Sequence, residues 1–169
     1  MESLKVGIIG AGWMGHVHAR AYQRLTQHWP DLAVRPELVA VADSSAVAAE
    51  TFGRAHGVAT YADWRELLAD PDLAAVSVTA PNFLHREIGV AVAEAGKHLW
   101  IEKPVGLTAA DAVAVRDAVH ESGVVSINSH SSVHVEAPFG GFKTSGIGRD
   151  LGMNAMDGYT ELKNVYVAE

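Results

Sequence analysis

The chain has 169 residues, 49% of them hydrophobic, a formal net charge of −7 and no cysteine. That length holds one domain, or one domain with an appendage, and the apolar content supplies a sizeable core. The negative balance argues against a nucleic-acid surface or an anionic membrane as partner, and the missing cysteine excludes disulfides, thiolate metal sites and thiol nucleophiles.

Residues 5–15, KVGIIGAGWMG, set Gly10, Gly12 and Gly15 behind the apolar run Val6 to Ile9 and ahead of a helical pattern. The run reads as a strand buried on both faces, and Met14, Val17, Ala21 and Leu25 recur at helical spacing. A strand, a glycine turn and a helix in that order give each glycine a physical reason. The first makes a tight turn, the second lets backbone approach a pyrophosphate, and the third allows close helix-on-strand packing. The first helical amides, from Trp13 and Met14 onward, then face the anion.

Beyond a loop around Trp29, Pro30 and Pro36, Leu38 to Ala42 form a second apolar run that ends at Asp43. Asp43 follows the glycines by about thirty positions, farther than the compact spacing because the loop is longer. A carboxylate at that strand end accepts hydrogen bonds from adenosine ribose hydroxyls and opposes a 2′-phosphate. The competing reading is helix capping, since Ser44 and Ser45 open the next helical stretch. The expected cofactor is NAD, with NADP left open because the two serines tolerate a phosphate.

A helix is expected over Ala46 to Ala55, stopping near Gly57, then a brief extension Val58 to Tyr61 and a helix over Trp64 to Ala69. The third strong strand, Ala74 to Thr79, ends in Thr79-Ala80-Pro81-Asn82, where Pro81 stops a sheet ladder. Leu84 to Ala95 reads as a helix capped by Gly96, and Leu99 to Ile101 as a fourth strand leading to Glu102-Lys103-Pro104. Thr108 and Asp111 form a capping box for a helix to about Glu121, closed by Gly123, and Val124 to Ile127 supplies a fifth strand. This alternation specifies an α/β fold, a doubly wound parallel sheet that binds ligands beyond the carboxyl ends of its strands. The glycine loop, Asp43, the Thr79–Asn82 corner and Glu102-Lys103-Pro104 each follow a strand, so the fold gathers them on one edge. No leader with an apolar signal core is read, and no apolar run is long enough to cross a bilayer, so the cytoplasm is the expected compartment.

Together GAGWMG, VADSS, TAPNFLH and EKP resemble the cofactor domain of the glucose-fructose oxidoreductase / inositol dehydrogenase (Gfo/Idh/MocA) family, an NAD(P)-binding Rossmann domain, over residues 4 to about 122. The resemblance implies that Gly10, Gly12 and Gly15, with Trp13 and Met14, carry the pyrophosphate, and that Asp43 and Ser44 meet the adenosine ribose. It puts Thr79, Ala80, Pro81, Asn82 and His85 on the nicotinamide side, joined by Glu102, Lys103 and Pro104. Lys103 matches the family's catalytic lysine, and the peptide before Pro104 is expected to be cis. An ammonium beside a hydroxyl under oxidation stabilises developing oxyanion charge and relays its proton. Outside such a motif the ordinary fate of a lysine is to solvate a strand end. The family also implies a second, α+β substrate domain with an Asp/His pair, which this sequence does not reach.

Residues from about Gly123 to Val167 instead resemble the C-terminal end of an aldehyde dehydrogenase. The carriers are Glu136-Ala137-Pro138-Phe139-Gly140-Gly141-Phe142-Lys143, Ser145-Gly146-Ile147-Gly148-Arg149 and Tyr159-Thr160-Glu161. That resemblance implies a segment reaching a substrate tunnel and an arm joining subunits, while thiohemiacetal chemistry is excluded for want of a thiol. The chain reads as a fusion with its join near Ser122 to Asn128: a cofactor domain over 1–123 and a β-containing oligomerisation tail over 124–169. Tyr159 to Val167 is β-rich with no partner strand of its own, so a homo-oligomer is expected. Gly146, Gly148 and Gly152 lack a preceding buried strand, and His130 and His134 lack a carboxylate at ligand spacing, so neither a second phosphate loop nor a metal site is expected. Two functions compete: hydride transfer between the nicotinamide and a secondary alcohol of a sugar or cyclitol, and a non-catalytic nucleotide-binding or assembly unit.

Overall fold

The computed structural model describes residues 2–119, within the first of the two units into which the chain divides, Met1–Val119. The expected strand at Val124 to Ile127, the end of the last helix and the whole oligomerisation tail lie outside the described residues. Among the described residues no helix is long and apolar enough to cross a membrane.

Five strands, β1 (Glu2–Ile9), β2 (Val34–Ala42), β3 (Ala59–Tyr61), β4 (Ala75–Val78) and β5 (His98–Ile101), form one sheet in the order β3-β2-β1-β4-β5, with every pairing parallel. Helices α1 (Trp13–His28), α2 (Ala46–His56), α3 (Trp64–Leu68), α4 (His85–Glu94) and α5 (Ala109–Ala118) connect or follow them. A parallel strand needs a crossover to return to the same edge, and each of these connections supplies a helix for it. The strand order reverses at β1, so the loops after β1 and β4 part at the switch point where such sheets hold ligands.

Alternation along β1 divides the core. Ile8, with Val41 of β2, packs against Ala19 of α1 and Phe52 of α2. Ile9, with Ala40, Ala42, Val76 and Val78, packs against Leu67 of α3 and Ile88 and Val92 of α4. Neighbouring residues of one strand point to opposite faces, so helices cover both sides of the sheet, and the near-continuous apolar reading of these strands follows. The capping box at α5 is formed as expected: the Thr108 hydroxyl accepts from the Asp111 amide, and the Asp111 carboxylate accepts from the Thr108 amide at 3.0 Å.

Three boundaries differ from the sequence reading. β2 starts at Val34 and contains Pro36, because β3 pairs only with Ala40, Val41 and Ala42. At Pro36 the strand has a partner on one side alone, where a missing N–H breaks no ladder. The short extension before α3 is a genuine edge strand, since Ala59, Thr60 and Tyr61 pair with β2. On α1 the expected inward stripe of Met14, Val17, Ala21 and Leu25 is not the buried one. Gly15, His18 and Ala19 are buried, whereas Ala21 is exposed. The rotation of α1 is set by its closest approach to the sheet, at Gly15, and the residues three, four and seven positions on inherit that face.

Candidate functional site

The loop between β1 and α1 is shaped by two close approaches. Gly10 has φ +108°, and a Cβ there would lie 2.7 Å from the Ala80 nitrogen, so no other residue fits both the dihedral and the space. A Cβ on Gly15 would overlap the carbonyl oxygen of Gly10. Thr79 closes the same corner, its hydroxyl donating to the Gly10 carbonyl at 2.8 Å. Gly12 is different in kind. It is the N-cap of α1 with an ordinary extended backbone, φ −75° and ψ −170°, and a Cβ there would meet no atom of the described residues within 4 Å. Nothing among the described residues requires glycine at this position.

The start of α1 is equally unprovided for: no side chain caps it and no acidic residue stands in its first turn. A helix N-terminus carries orphan N–H groups and a positive partial charge, and most helices satisfy them with a cap or a carboxylate. An empty approach at Gly12 in front of uncapped amides fits an anion whose oxygens come close to backbone, as the diphosphate of a dinucleotide does. Trp13, the first residue of α1, is 75% exposed beside this loop.

Asp43 stands just past β2. Its own amide donates to the Tyr61 carbonyl at 3.1 Å, while its carboxylate accepts from the Ala11 amide at 2.8 Å through Oδ2 and from the Ser45 amide at 2.8 Å through Oδ1. The capping role considered for it falls to Ser45, whose hydroxyl accepts from the Ala48 amide. Each carboxylate oxygen has two lone pairs, so one on each remains for a ribose hydroxyl.

Across the switch point, the loop after β4 carries Thr79, Ala80, Pro81 and Asn82, and Asn82 opens a 3-10 turn, Asn82–Leu84, that leads into α4. The loop after β5 carries Glu102, Lys103 and Pro104, with the Lys103–Pro104 peptide cis, as the motif implies. His85 joins the two loops. Its ring is 0% exposed, with Nε2 2.8 Å from the Ala80 carbonyl oxygen and Nδ1 2.7 Å from the Pro104 carbonyl oxygen. The imidazole expected on the nicotinamide side therefore sits between the loops, packed against a carbonyl of each and donating according to its tautomer. Lys103 is exposed and has no hydrogen-bond or ion-pair partner among the described residues.

Sequence reading missed the histidines of α1. His18 is buried and its Nε2 lies 2.9 Å from Oε1 of Glu102, tying α1 to the residue before Lys103. Tyr22, one turn further, shares a 2.7 Å hydrogen bond with the fully buried Ser77 of β4; burial raises its pKa, and the bond to Ser77 opposes that shift. Both follow from Gly15 by helical spacing, and that was the available signal. On the other flank His16 Nδ1 and His56 Nε2 are 2.8 Å apart, with Phe52 against both rings. The His56 pKa is lowered by burial first, then by the charges of His16 and Arg20. A separate groove of about 680 Å³ between α3, α4 and the start of α5 contains Asn82 alone of the expected site residues. Four of its charged side chains are paired, Arg65 with Glu87 and Arg86 with Asp111.

A parallel sheet with a glycine turn, an uncapped helix start and an acidic residue after the second strand defines a dinucleotide-binding Rossmann unit. Comparison with known proteins makes this specific. Residues 4–130 match the model of the GFO_IDH_MocA oxidoreductase family, described by its NAD-binding Rossmann fold, and the chain belongs to that family. The chain is 39% identical over 126 residues to a levoglucosan dehydrogenase of Pseudarthrobacter phenanthrenivorans, covering 74% of this chain and 32% of that protein. Among solved structures, an NAD-binding oxidoreductase from Klebsiella pneumoniae superposes with a TM-score of 0.66 at 40% identity, over 70% of this chain and 32% of that one. A levoglucosan dehydrogenase in complex with NADH gives a TM-score of 0.70 at 35% identity, over 75% and 34%. The chain spans about a third of the length of the curated relatives it matches over this region. Residues 105–165 match the aldehyde dehydrogenase family, and one such enzyme from Emericella nidulans is 46% identical over 55 residues, 32% of this chain and 11% of its own length. The fusion read in the sequence is therefore present.

Proposed function

We propose that this unit holds NAD with its diphosphate at Gly12 and the start of α1, its adenosine ribose at Asp43, and its nicotinamide between the Thr79–Asn82 and Glu102–Pro104 loops. The observation that carries the reading is Gly12, a glycine with an ordinary backbone and open space around it, set before a helix start with no cap and no acidic residue. When bound, the nicotinamide exchanges hydride with a secondary alcohol carbon. Lys103 then holds or accepts the hydroxyl proton at Nζ, and its freedom from other partners among the described residues suits that task. His85 and His18 keep the lysine's loop in place, through Pro104 and Glu102 respectively. The substrate class is a sugar or cyclitol alcohol, and Asp43 favours NAD over NADP.

A second reading is a non-catalytic nucleotide-binding or assembly unit that binds dinucleotide without turning it over. The tail, residues 124–169, is proposed as the arm that pairs chains. The test is a titration with NADH, followed by tryptophan emission, beside a reduced-nicotinamide absorbance assay with polyols and sugars and a sizing measurement. Binding with turnover supports the enzyme, binding alone supports the second reading, and no binding of either coenzyme form at millimolar concentration refutes both.

A further inference from the structure

The carboxylate expected to read the ribose is already committed to the protein. Asp43 Oδ2 accepts from the amide of Ala11, the residue between Gly10 and Gly12, and Oδ1 accepts from the amide of Ser45. Ala11 is 6% exposed, so its N–H has little access to water and depends on that acceptor. The loop has one further tie to β2, the Gly10 amide donating to the Ala42 carbonyl at 2.8 Å. Adjacent peptides of the turn are thus pinned to adjacent residues of β2, and the second pin is a side chain.

We infer that Asp43 is a positioning residue for the glycine loop as well as a ribose acceptor, so its removal disables the site for NAD and NADP alike. The Ala11–Gly12 segment fixes where the open face of Gly12 and the first amides of α1 point. Without the carboxylate, a buried N–H is left unpaired and the peptide turns to find another acceptor. A neutral replacement that on charge grounds should admit a 2′-phosphate therefore withdraws the support of the diphosphate cradle. Selectivity is exchanged at this position only by a replacement that keeps an acceptor for the Ala11 amide. This inference rests on the proposed dinucleotide site for its ligand consequences, but its structural half does not.

The experiment has two arms on Asp43→Leu, which keeps the branched shape of the side chain without an acceptor oxygen, and Asp43→Ala. In ligand-free protein, amide exchange followed by NMR is expected to be at least tenfold faster at Ala11 in both variants. The Thr79 amide, bonded to the Ile9 carbonyl, serves as the control for an intact sheet. In titrations, both NADH and NADPH are expected to bind at least tenfold more weakly to Asp43→Ala than to the parent. Unchanged Ala11 exchange with normal Thr79 protection overturns the inference, as does loss of NADH binding with NADPH binding kept or improved. If the parent binds neither coenzyme, the dinucleotide reading fails while the exchange arm still decides the role of Asp43 in the loop. Should Asp43→Ala not fold, both arms are read on Asp43→Leu.

Discussion

Gly12→Ala separates what the protein needs from what its ligand needs. The added methyl meets no atom of the described residues within 4 Å, and φ −75° is open to any residue, so neither a clash with them nor strain arises on folding. Two small effects oppose each other. Alanine is a poorer N-cap than glycine, whereas the loss of glycine's freedom in the unfolded chain is worth about 0.4–1 kcal/mol in its favour. Thermal unfolding should therefore stay within a few degrees of the parent. A bound diphosphate changes the balance, because the methyl then occupies the space through which the phosphate oxygens approach the backbone. Overpacking of this kind costs about 1–3 kcal/mol, a loss of about 5- to 150-fold in affinity. The assay is a NADH titration beside a melting curve on the same preparation. Parent-like affinity in a well-folded Gly12→Ala protein would refute the placement of the diphosphate, and a collapse in melting temperature would show that the glycine serves the fold.

Gly15→Ala should behave in the opposite way, lowering the melting temperature with or without cofactor, because its methyl overlaps the Gly10 carbonyl oxygen; an unaltered melt would contradict the packing described for α1. Lys103→Met should abolish any turnover the parent shows in protein that still binds NADH; persistent turnover removes the lysine from the mechanism. The His56 pKa is lowered in the folded protein from 6.5, so the unfolded chain takes up that proton more readily. The stability His56 gives is full above pH 6.5 and is lost as pH falls through its lowered folded value. His56→Gln should then flatten the decline of melting temperature on acidification, and an identical decline in the variant would discount the histidine pair.

Much of the architecture was legible because parallel strands covered on both faces are written as short apolar runs, and Ile8, Ile9, Val41, Val76 and Val78 are all buried. The polar residues behind those runs had to share one edge once the sheet was parallel. Two features were hidden for physical reasons. Hydropathy misjudged the rotation of α1, since the helix turns its glycine to the sheet and brings His18 and Tyr22 inward with it, polar groups that hydrogen bonds to Glu102 and Ser77 make tolerable. Pro36 looked like loop because a proline's cost in a strand depends on whether a neighbour stands on its N–H side, a property of the sheet and not of the segment. Distance along the chain concealed the rest: Asp43 meets Ala11 across 32 residues, and His18 meets Glu102 across 84.

One imidazole has a consequence for the motion of the whole edge. By bridging the carbonyls of Ala80 and Pro104, His85 closes a ring of backbone that encloses α4 and β5 and acts as a noncovalent buckle at their mouth. The Thr79–Asn82 and Glu102–Pro104 loops therefore meet at one side chain, and a change at His85 that relaxes the buckle should loosen both together.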